Sequence, residues 1–249
     1  MRLQTFFYSA VLTTVTLFSG QAAAELKDYQ LVTETYPPFN FQDGSELKGI
    51  SIDMLIAASN KAGLGIQRSS IQLWPWARGY EVLLNEPKTM LFSTTRTPKR
   101  DPLFKWAGPI TDTKISLIAK KGSGITLSSA ADFSSPNIAV VRDDVAEGLV
   151  LDAGATKGNL DLNSKPESAM RKLQAGRVDL WAYEENVAFW MINNAGFDTS
   201  NFEVVHVLKE GELFYALHKS TPDEVVDSLQ NALDALSDQE RESILSQYR

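Results

Sequence analysis

Strand-like and helix-like segments alternate along this chain from residue 29 onward. Residues 29–33, 89–93 and 138–141 are short β-prone runs, and stretches between them place apolar residues at helical spacing. A strand that is followed by a helix and then by another strand typically joins a parallel sheet covered by helices on both faces. The alternation therefore predicts an α/β fold, and it leaves open whether the 249 residues form one wide sheet or two smaller lobes.

Further elements are predicted from the same periodicities and from helix-capping patterns. A helix over residues 50–62 should end at Gly63, and another should occupy residues 184–194. Ser/Thr-x-x-Glu capping boxes predict three helix starts, at residues 164–167, 221–224 and 237–240. Further strands are predicted at residues 114–119, 178–182, 204–208 and 213–217.

The chain contains no cysteine and only two histidines, His206 and His218. Without cysteine, disulfides, thiol nucleophiles and cysteine-ligated metal sites are excluded. The histidines lack the short spacing of a ligand pair, and the chain has no Gly-x-Gly-x-x-Gly, Walker A or His-Glu-x-x-His motif, so we expect neither a metal nor a cofactor. The formal net charge of −7 argues against a nucleic-acid partner.

The first 24 residues have the layout of a secretory signal peptide. Arg2 precedes an apolar stretch, and the small residues Ala22, Ala23 and Ala24 end the segment. Hydroxyl residues interrupt the apolar stretch, which disfavours the alternative of an uncleaved membrane anchor. We therefore expect an exported, soluble protein that is periplasmic if the source is a Gram-negative cell.

Residues that directly follow predicted strands are the first candidates for a site, because ligands of open α/β sheets bind beyond the carboxyl ends of strands. Tyr36 and Phe39 follow the first strand around two prolines, which deny this segment helical geometry. Their rings could form the wall of a small-molecule site, or they could fill the core beside a rigid turn. Trp76, which follows Trp74 and a proline, presents the same two alternatives.

Polar residues follow two other predicted strands. Ser93, Thr95 and Arg100 combine hydroxyl groups with an arginine fork, a set that suits a carboxylate, although a solvated basic turn is the alternative. Glu184 follows a later strand and is placed to face a cleft. Glu185 lies in the first turn of the next helix. An acidic residue there is equally well explained by its favourable interaction with the helix dipole as by a role in a site.

Taken in this order and at this spacing, these clusters resemble the landmarks of bacterial extracellular solute-binding proteins of family 3, the polar amino-acid receptors of ABC importers. The resemblance covers essentially the whole chain after residue 24. Its landmarks are Tyr36-Pro-Pro-Phe39, Leu47-Lys-Gly-Ile-Ser-Ile-Asp-Met54, Thr95-Arg-Thr-Pro-Lys-Arg100, Gly108-Pro109 and Ala175-Gly-Arg-Val-Asp179.

The resemblance implies a periplasmic-binding-protein-like fold of type II, in which two crossing hinge strands join two α/β lobes that close on a ligand. It places the first lobe at residues 25–111 and 206–249 and the second lobe at residues 112–205. It also implies a monomeric, non-enzymatic protein that captures an amino acid or a related zwitterion for an ABC permease in the inner membrane.

The resemblance assigns roles to individual residues as well. Arg100 matches the arginine that holds the ligand's α-carboxylate, and Ser93 and Thr95 match positions that bind ligand through backbone and hydroxyl groups. Tyr36 matches an aromatic residue that stacks on the ligand, and Trp76 lies near another apolar contact.

Two positions depart from the family pattern. Glu184 matches the acid of the second lobe that pairs with the ligand's α-ammonium, where the family usually has Asp. Asp144 stands where the family usually has a Gly-Thr pair; because an acid repels a bound carboxylate, either Asp144 points away from the ligand or the ligand is not a simple amino acid. Two alternatives stay open: an enzyme that resembles cyclohexadienyl dehydratases, with Glu184 as general acid, and a periplasmic sensor component that binds a ligand but serves no importer.

Overall fold

The computed structural model describes residues 26–248 of the chain. The predicted signal peptide, residues 1–24, lies outside the described residues. Within them, the longest helix has 13 residues, and none is long and apolar enough to cross a membrane.

The described residues form an alternating series of strands and helices. In chain order, the strands are β1 (Gln30–Thr33), β2 (Phe41–Asp43), β3 (Glu46–Lys48), β4 (Ile71–Leu73), β5 (Thr89–Thr95), β6 (Phe104–Lys120), β7 (Ile138–Val141), β8 (Leu160–Asn163), β9 (Leu180–Glu184) and β10 (Phe202–His218). The α-helices are α1 (Ile50–Ala62), α2 (Trp76–Asn85), α3 (Val145–Ala153), α4 (Pro166–Gln174), α5 (Glu185–Asn194), α6 (Asp223–Asp234) and α7 (Asp238–Ser246). The predicted α/β class is confirmed.

Two strands that were predicted separately form a single long strand in the structure. The strands predicted at residues 204–208 and 213–217 both belong to β10, because residues 209–212 between them continue the pairing with β6. The strand predicted at residues 114–119 is likewise only the second part of β6. Local periodicity cannot show this continuity, because hinge strands exposed to solvent lack the apolar alternation that marks a core strand.

One of the three predicted capping boxes forms. Ser237 Oγ accepts the backbone N–H of Glu240, and the Glu240 carboxylate accepts the backbone N–H of Ser237. The other two boxes do not form, because α4 and α6 begin after Lys165 and Pro222, which make no side-chain cap bond; both helices nevertheless begin within the predicted segments. In α4 the proline that follows Lys165 disfavours helical geometry at that residue, so the helix begins one position later than the box requires.

The sheet is mixed rather than wholly parallel. Its strand order is β4-β1-β5-β10-β6-β9-β7-β8. β1 pairs in parallel with β4 and β5, and β7 pairs in parallel with β8 and β9. β10 is antiparallel to β5 and β6, and β6 is antiparallel to β9. The predicted parallel pairing therefore holds on both sides of the sheet and is wrong at its centre, where the chain crosses and returns.

The sheet divides into two lobes that share β6 and β10, each of 17 residues. In the first lobe, β4, β1 and β5 lie beside the end of β10, which pairs with the beginning of β6. In the second lobe, β8, β7 and β9 lie beside the later part of β6. This confirms the predicted architecture of two α/β lobes joined by two crossing strands. The predicted boundaries, after residues 111 and 205, fall inside β6 and β10 and stay a prediction.

The hydrophobic core shows that the lobes are closed on each other. The larger cluster of buried apolar residues runs from Leu31 and Tyr36 in the first lobe to Tyr183 and Ile192 in the second. A smaller cluster, around Val140, packs within the second lobe. The residues at the lobe boundary are therefore held by contacts from both sides.

Candidate ligand-binding site between the lobes

The residues that follow the carboxyl ends of the parallel strands meet across the boundary between the lobes. Glu34 follows β1, and Arg100 lies in the loop after β5. Asp143 and Asp144 follow β7, and Glu184 is the last residue of β9. This is where open α/β sheets bind ligands.

One backbone carbonyl links the two lobes at the centre of this region. The Asp143 carbonyl oxygen accepts a hydrogen bond from Trp76 Nε1 at 2.9 Å and another from Arg100 Nη2 at 3.1 Å. Asp143 has a φ of 61°, the left-handed conformation that residues other than glycine seldom adopt. Its own N–H donates to Glu147 at 2.7 Å, so the turn is held on the second lobe while its carbonyl is presented to the first.

Arg100 is 7% exposed and lies against aromatic rings. Its guanidinium carbon is 5.2 Å from the Trp76 ring centre and 5.0 Å from that of Tyr80. Nη1 donates to the carbonyl oxygen of Thr95 at 3.4 Å. In the described chain its hydrogen-bond acceptors are backbone carbonyls, and no carboxylate forms an ion pair with it.

Two tyrosine rings meet edge to face across the cleft. Tyr36 of the first lobe and Tyr183 of the second have ring centroids 5.6 Å apart, and Tyr183 stacks on Trp181 at 5.1 Å. The Tyr183 hydroxyl and Trp181 Nε1 are buried with no hydrogen-bond partner among the described residues. Burial raises the pKa of the Tyr183 phenol well above its ordinary value, and the nearby Glu34 carboxyl adds to the shift.

Ser93 uses its side chain inside the first lobe. Its hydroxyl hydrogen-bonds Ser51 Oγ at 2.7 Å and also contacts Asn40 Oδ1. Ser93 has a φ of 61° and is skipped in the pairing of β5 with β10, so it forms a bulge there. The hydroxyl is therefore already occupied.

Asp144 and Glu184 each cap a helix of the second lobe. Asp144 Oδ1 accepts the N–H of Ala146 at 2.9 Å. The Glu184 carboxylate accepts the N–H of Val187 at 2.7 Å, a side-chain N–H of Asn186 at 3.2 Å and the N–H of Lys114 at 3.4 Å. The bonds from Ala146 and Val187 satisfy N–H groups at helix N-termini that would otherwise be free.

Burial dominates the electrostatics of both capping carboxylates. It raises the pKa of Glu184 to about 7, against the opposing effect of the hydrogen bonds from Val187 and Lys114. Burial also raises the pKa of Asp144, and the Arg100 guanidinium acts in the opposite direction. Within the described residues, no group of three or more His, Asp or Glu side chains is arranged to hold a metal ion.

Glu34 is a site residue that the sequence reasoning did not single out. It is 6% exposed, and in the described chain no hydrogen bond or ion pair reaches its carboxylate. Burial raises the pKa of Glu34 well above its ordinary value; Asp144 and Glu167 add to the shift, and Arg100 opposes it. Its position directly after β1 was the available signal, because the strand-exit rule that selected Tyr36 applies equally to Glu34.

Two cavities flank the central bonds between the lobes. One, of about 220 Å³, lies between Trp74 and Trp76 of the first lobe and Glu167 of the second, with Glu34 in its wall. The other, of about 580 Å³, lies on the side of Arg100 that faces α3. The exposed Lys99 and Asp152 form an ion pair between the lobes beside the second cavity, at 2.6 Å.

The structure thus brings most of the predicted site residues to one boundary. Tyr36, Trp76 and Arg100 face the second lobe, and the carbonyl of Thr95 holds Arg100. Asp144 and Glu184 lie opposite them as helix caps. Ser93 is near the site but directs its hydroxyl into the first lobe.

Solved structures of similar fold include a sensor domain and amino-acid-binding proteins. A histidine kinase sensor domain with similarity to periplasmic binding proteins has a TM-score of 0.77 and 19% identity, covering 88% of this chain and 95% of its own. An ancestral arginine-binding protein bound to arginine has a TM-score of 0.73 and 21% identity, covering 88% and 96%. The arginine-, lysine-, histidine-binding protein from Geobacillus stearothermophilus has a TM-score of 0.72 and 18% identity, covering 88% and 94%.

None of the curated protein sequences matches the chain. The family of bacterial extracellular solute-binding proteins, family 3, matches residues 30–249. This match spans both lobes and the crossing strands between them, and it agrees with the resemblance seen in the sequence. The chain belongs to the bacterial extracellular solute-binding proteins of family 3.

Proposed function

We propose that this protein captures an amino acid or a related zwitterion between its two lobes. The observation that carries the proposal is the buried Arg100 guanidinium, which faces the cleft and is held by backbone carbonyls instead of a carboxylate. An arginine fork binds the two oxygens of a carboxylate more strongly than it binds neutral carbonyls. A ligand carboxylate would therefore replace the Asp143 carbonyl as the partner of Arg100.

Hinge closure supplies the mechanism. A ligand that contacts Arg100 and Tyr36 on one lobe and residues after β7 and β9 on the other makes its full set of contacts only in the closed form. Its differential affinity for that form shifts the population toward closure. The proposed contact set comprises Tyr36, Trp76, Ser93 through its backbone, Thr95, Arg100, Asp144 and Glu184.

The solved structures of similar fold support this class of ligand. One is an ancestral arginine-binding protein, and another is named for binding arginine, lysine and histidine. We propose further that the chain is exported through its first 24 residues and serves an ABC importer as a periplasmic monomer. A sensory role is the second candidate, because a histidine kinase sensor domain has the same fold.

The capping bonds of Glu184 favour binding over catalysis. A general acid must hold a proton to donate, and hydrogen bonds from N–H groups favour the ionised form of a carboxyl group instead. Glu184 accepts N–H groups from Val187, Asn186 and Lys114. Incubation with prephenate or arogenate would test the dehydratase alternative, and turnover that disappears in Glu184→Gln would establish it.

Calorimetric titration against the twenty amino acids and related amines and acids tests the proposal. We expect at least one α-amino acid to bind with a dissociation constant in the micromolar range or below. If none binds, the assignment of the ligand class is wrong, although the fold and the family are unaffected. Uptake of the identified ligand by source cells that lack this protein would then separate the importer role from the sensory role.

A further inference from the structure

A row of three aromatic rings connects the first lobe to the second outside the candidate ligand site. The Phe41 ring of β2 lies 5.5 Å from the Trp190 ring of α5, and the Tyr248 ring, which follows α7, meets Phe41 edge to face at 6.2 Å. β2 lies between two strands of the first lobe, whereas α5 follows the last parallel strand of the second. None of the three residues lines either cavity beside the central bonds. Phe41 and Trp190 therefore join the lobes at a place that a ligand does not need to touch.

The backbone ties Phe41 to the cleft wall of its own lobe. Tyr36 and Asn40 form a β-bridge, in which the Tyr36 N–H donates to the Asn40 carbonyl at 2.6 Å and the Asn40 N–H donates to the Tyr36 carbonyl at 3.0 Å. The Asn40 side chain also donates to the Glu34 carbonyl at 2.6 Å. Phe41 follows Asn40 directly and is buried. Its ring is therefore held in a fixed relation to Tyr36, and it moves with the first lobe.

Tyr248 holds the hairpin of β2 and β3 from the other side. Its hydroxyl accepts the backbone N–H of Gly49 at 3.0 Å and donates to the carboxylate of Asp53 in α1. Asp53 forms an ion pair with Arg68 at 2.7 Å, and Arg68 donates to a backbone carbonyl of β3 at 2.7 Å. Because β3 pairs with β2, these bonds fix the strand that carries Phe41.

The base of this hairpin is packed too closely for a side chain. Gly49 has a φ of 127°, and a Cβ atom at this position would lie 2.4 Å from the carbonyl oxygen of Phe39. Only glycine allows such an approach of two backbone segments. The direction of the hairpin is thus set by backbone contact as well as by Tyr248.

The contact between the two rings differs in kind from the ion pair across the same boundary. Lys99 and Asp152 are exposed, and such a pair contributes little and is screened by salt. Two aromatic rings that leave water together gain free energy that salt does not screen. An aromatic pair of this kind shifts an equilibrium by roughly two- to tenfold.

We propose that the contact between Phe41 and Trp190 sets the balance between the open and closed forms, and that Tyr248 acts through Phe41 as its positioning residue. The two rings touch when the lobes are closed and separate when they open, so the contact favours closure with or without ligand. The effect on ligand affinity rests on the proposed function, whereas the effect on the empty protein does not. Residues that never touch the ligand therefore contribute to its apparent affinity.

Double electron–electron resonance between one spin label in each lobe measures closure of the empty protein. The chain has no cysteine, so Glu86→Cys and Lys157→Cys, at exposed positions of the first and second lobes, supply the two labelling sites. In this labelled protein, Trp190→Leu should shift the distance distribution toward longer distances. Phe189→Leu is the control, because it removes a ring of the same helix that makes no ring contact with Phe41 in the described chain. An unchanged distribution in Trp190→Leu would overturn the proposal.

A double-mutant cycle separates the contact from a general loss of packing. Phe41→Leu and Trp190→Leu each remove the ring pair, so the second change should add little in the double variant. Trp190→Phe keeps a ring in the second lobe and should retain most of the wild-type distribution. Additive shifts in the double variant, or a shift in Trp190→Phe as large as in Trp190→Leu, would contradict a contact between rings.

The positioning role of Tyr248 has its own variant. Tyr248→Phe keeps the ring beside Phe41 but loses the hydroxyl that bonds Gly49 and Asp53. We expect a smaller shift than in Trp190→Leu, and no further shift when this change is added to Trp190→Leu. An equal shift in both backgrounds would show that Tyr248 does not act through Phe41.

Ligand dissociation extends the test to the bound protein. The twenty amino acids are the probes, and stopped-flow dissociation of the one that binds most tightly should be roughly two- to tenfold faster in Trp190→Leu. Wild-type dissociation in this variant would contradict the role of the contact in the liganded form. If none of the twenty binds, the proposed function fails by itself, because the distances between the labels require no ligand.

Discussion

Arg100 of the first lobe donates a hydrogen bond across the cleft to the carbonyl oxygen of Asp143 at 3.1 Å. The same carbonyl accepts the indole N–H of Trp76, so a single backbone oxygen of the second lobe receives both donors. The closed form of this chain therefore has its own acceptor where we place the ligand's carboxylate. The ligand's carboxylate must displace this acceptor from Arg100. We expect it to do so, because a charged carboxylate is a stronger hydrogen-bond acceptor than a neutral carbonyl.

Removing the Trp76 donor should open the empty protein. Trp76→Phe keeps an aromatic ring against Tyr80 but loses one hydrogen bond to Asp143, worth about 1 kcal/mol to the closed form. Small-angle scattering should show a larger radius of gyration in the variant. Trp74→Phe is the control, because Trp74 donates no side-chain hydrogen bond across the cleft. Equal radii in all three proteins would show that the Trp76 bond does not hold the lobes together.

Replacing Arg100 should abolish tight binding. Arg100→Gln removes the charge and the fork, and we expect the affinity for the tightest-binding amino acid to fall at least a hundredfold by calorimetry. Arg100→Lys should recover only part of the loss, because an ammonium group cannot bind two carboxylate oxygens in the same geometry. Arg96→Gln, in the same loop but exposed and paired with Asp101, should bind like the wild type. Wild-type affinity in Arg100→Gln would remove this residue from the site.

The buried carboxyl of Glu184 should make stability depend on pH. Its pKa is about 7 in the folded protein, above its ordinary value of 4.5, so the native state binds more protons than the unfolded state between these values. The free energy of unfolding should therefore fall as the pH rises from about 4.5 to 7, by up to about 3 kcal/mol, and then level off. The raised pKa values of Glu34 and Asp144 act in the same direction.

Urea unfolding across this pH range checks the assignment to Glu184. Glu184→Gln keeps an oxygen that can cap α5 but carries no charge, so the variant should be more stable than the wild type at pH 8. Its slope with pH should also be smaller. Glu86→Gln, at an exposed position, should leave the slope unchanged. If the stability of Glu184→Gln depends on pH as steeply as that of the wild type, a group other than Glu184 causes the dependence.

Replacing Tyr183 with phenylalanine should raise the stability of the protein and weaken ligand binding. Tyr183→Phe removes a buried hydroxyl without a partner, so the empty protein should gain about 1 kcal/mol in urea unfolding. Affinity for the tightest-binding amino acid should fall at the same time, because the Tyr183 ring meets Tyr36 across the cleft. Tyr215→Phe is the contrasting control: its hydroxyl donates to the Ser51 carbonyl at 2.7 Å, so that change should destabilise. Destabilisation by Tyr183→Phe would mean that its hydroxyl has a partner.

Much of the fold and most of the candidate site were accessible from sequence patterns. The helix at residues 50–62 and the strand at residues 138–141 occur at the predicted bounds, because the first places apolar residues at helical spacing before Gly63 and the second is a continuous apolar run. Tyr36 and Arg100 were selected because they lie beyond predicted strands, and Trp76 was selected because it and Trp74 flank a proline. The parallel pairing expected throughout was wrong at β6 and β10, because strand direction depends on how distant segments meet.

The sequence by itself determined the α/β class, the family and the set of polar and aromatic residues at the strand ends. Only the tertiary structure decided which of the carboxylates that follow the strands bond to N–H groups of the described chain. Asp144 and Glu184 directly precede helices, whose unsatisfied N–H groups bind their oxygens. Glu34 instead precedes a turn that leads into two prolines, where no helix N-terminus is present to take up its charge. This difference arises only when the chain folds, because the N–H groups that surround each carboxylate decide whether it is already hydrogen-bonded.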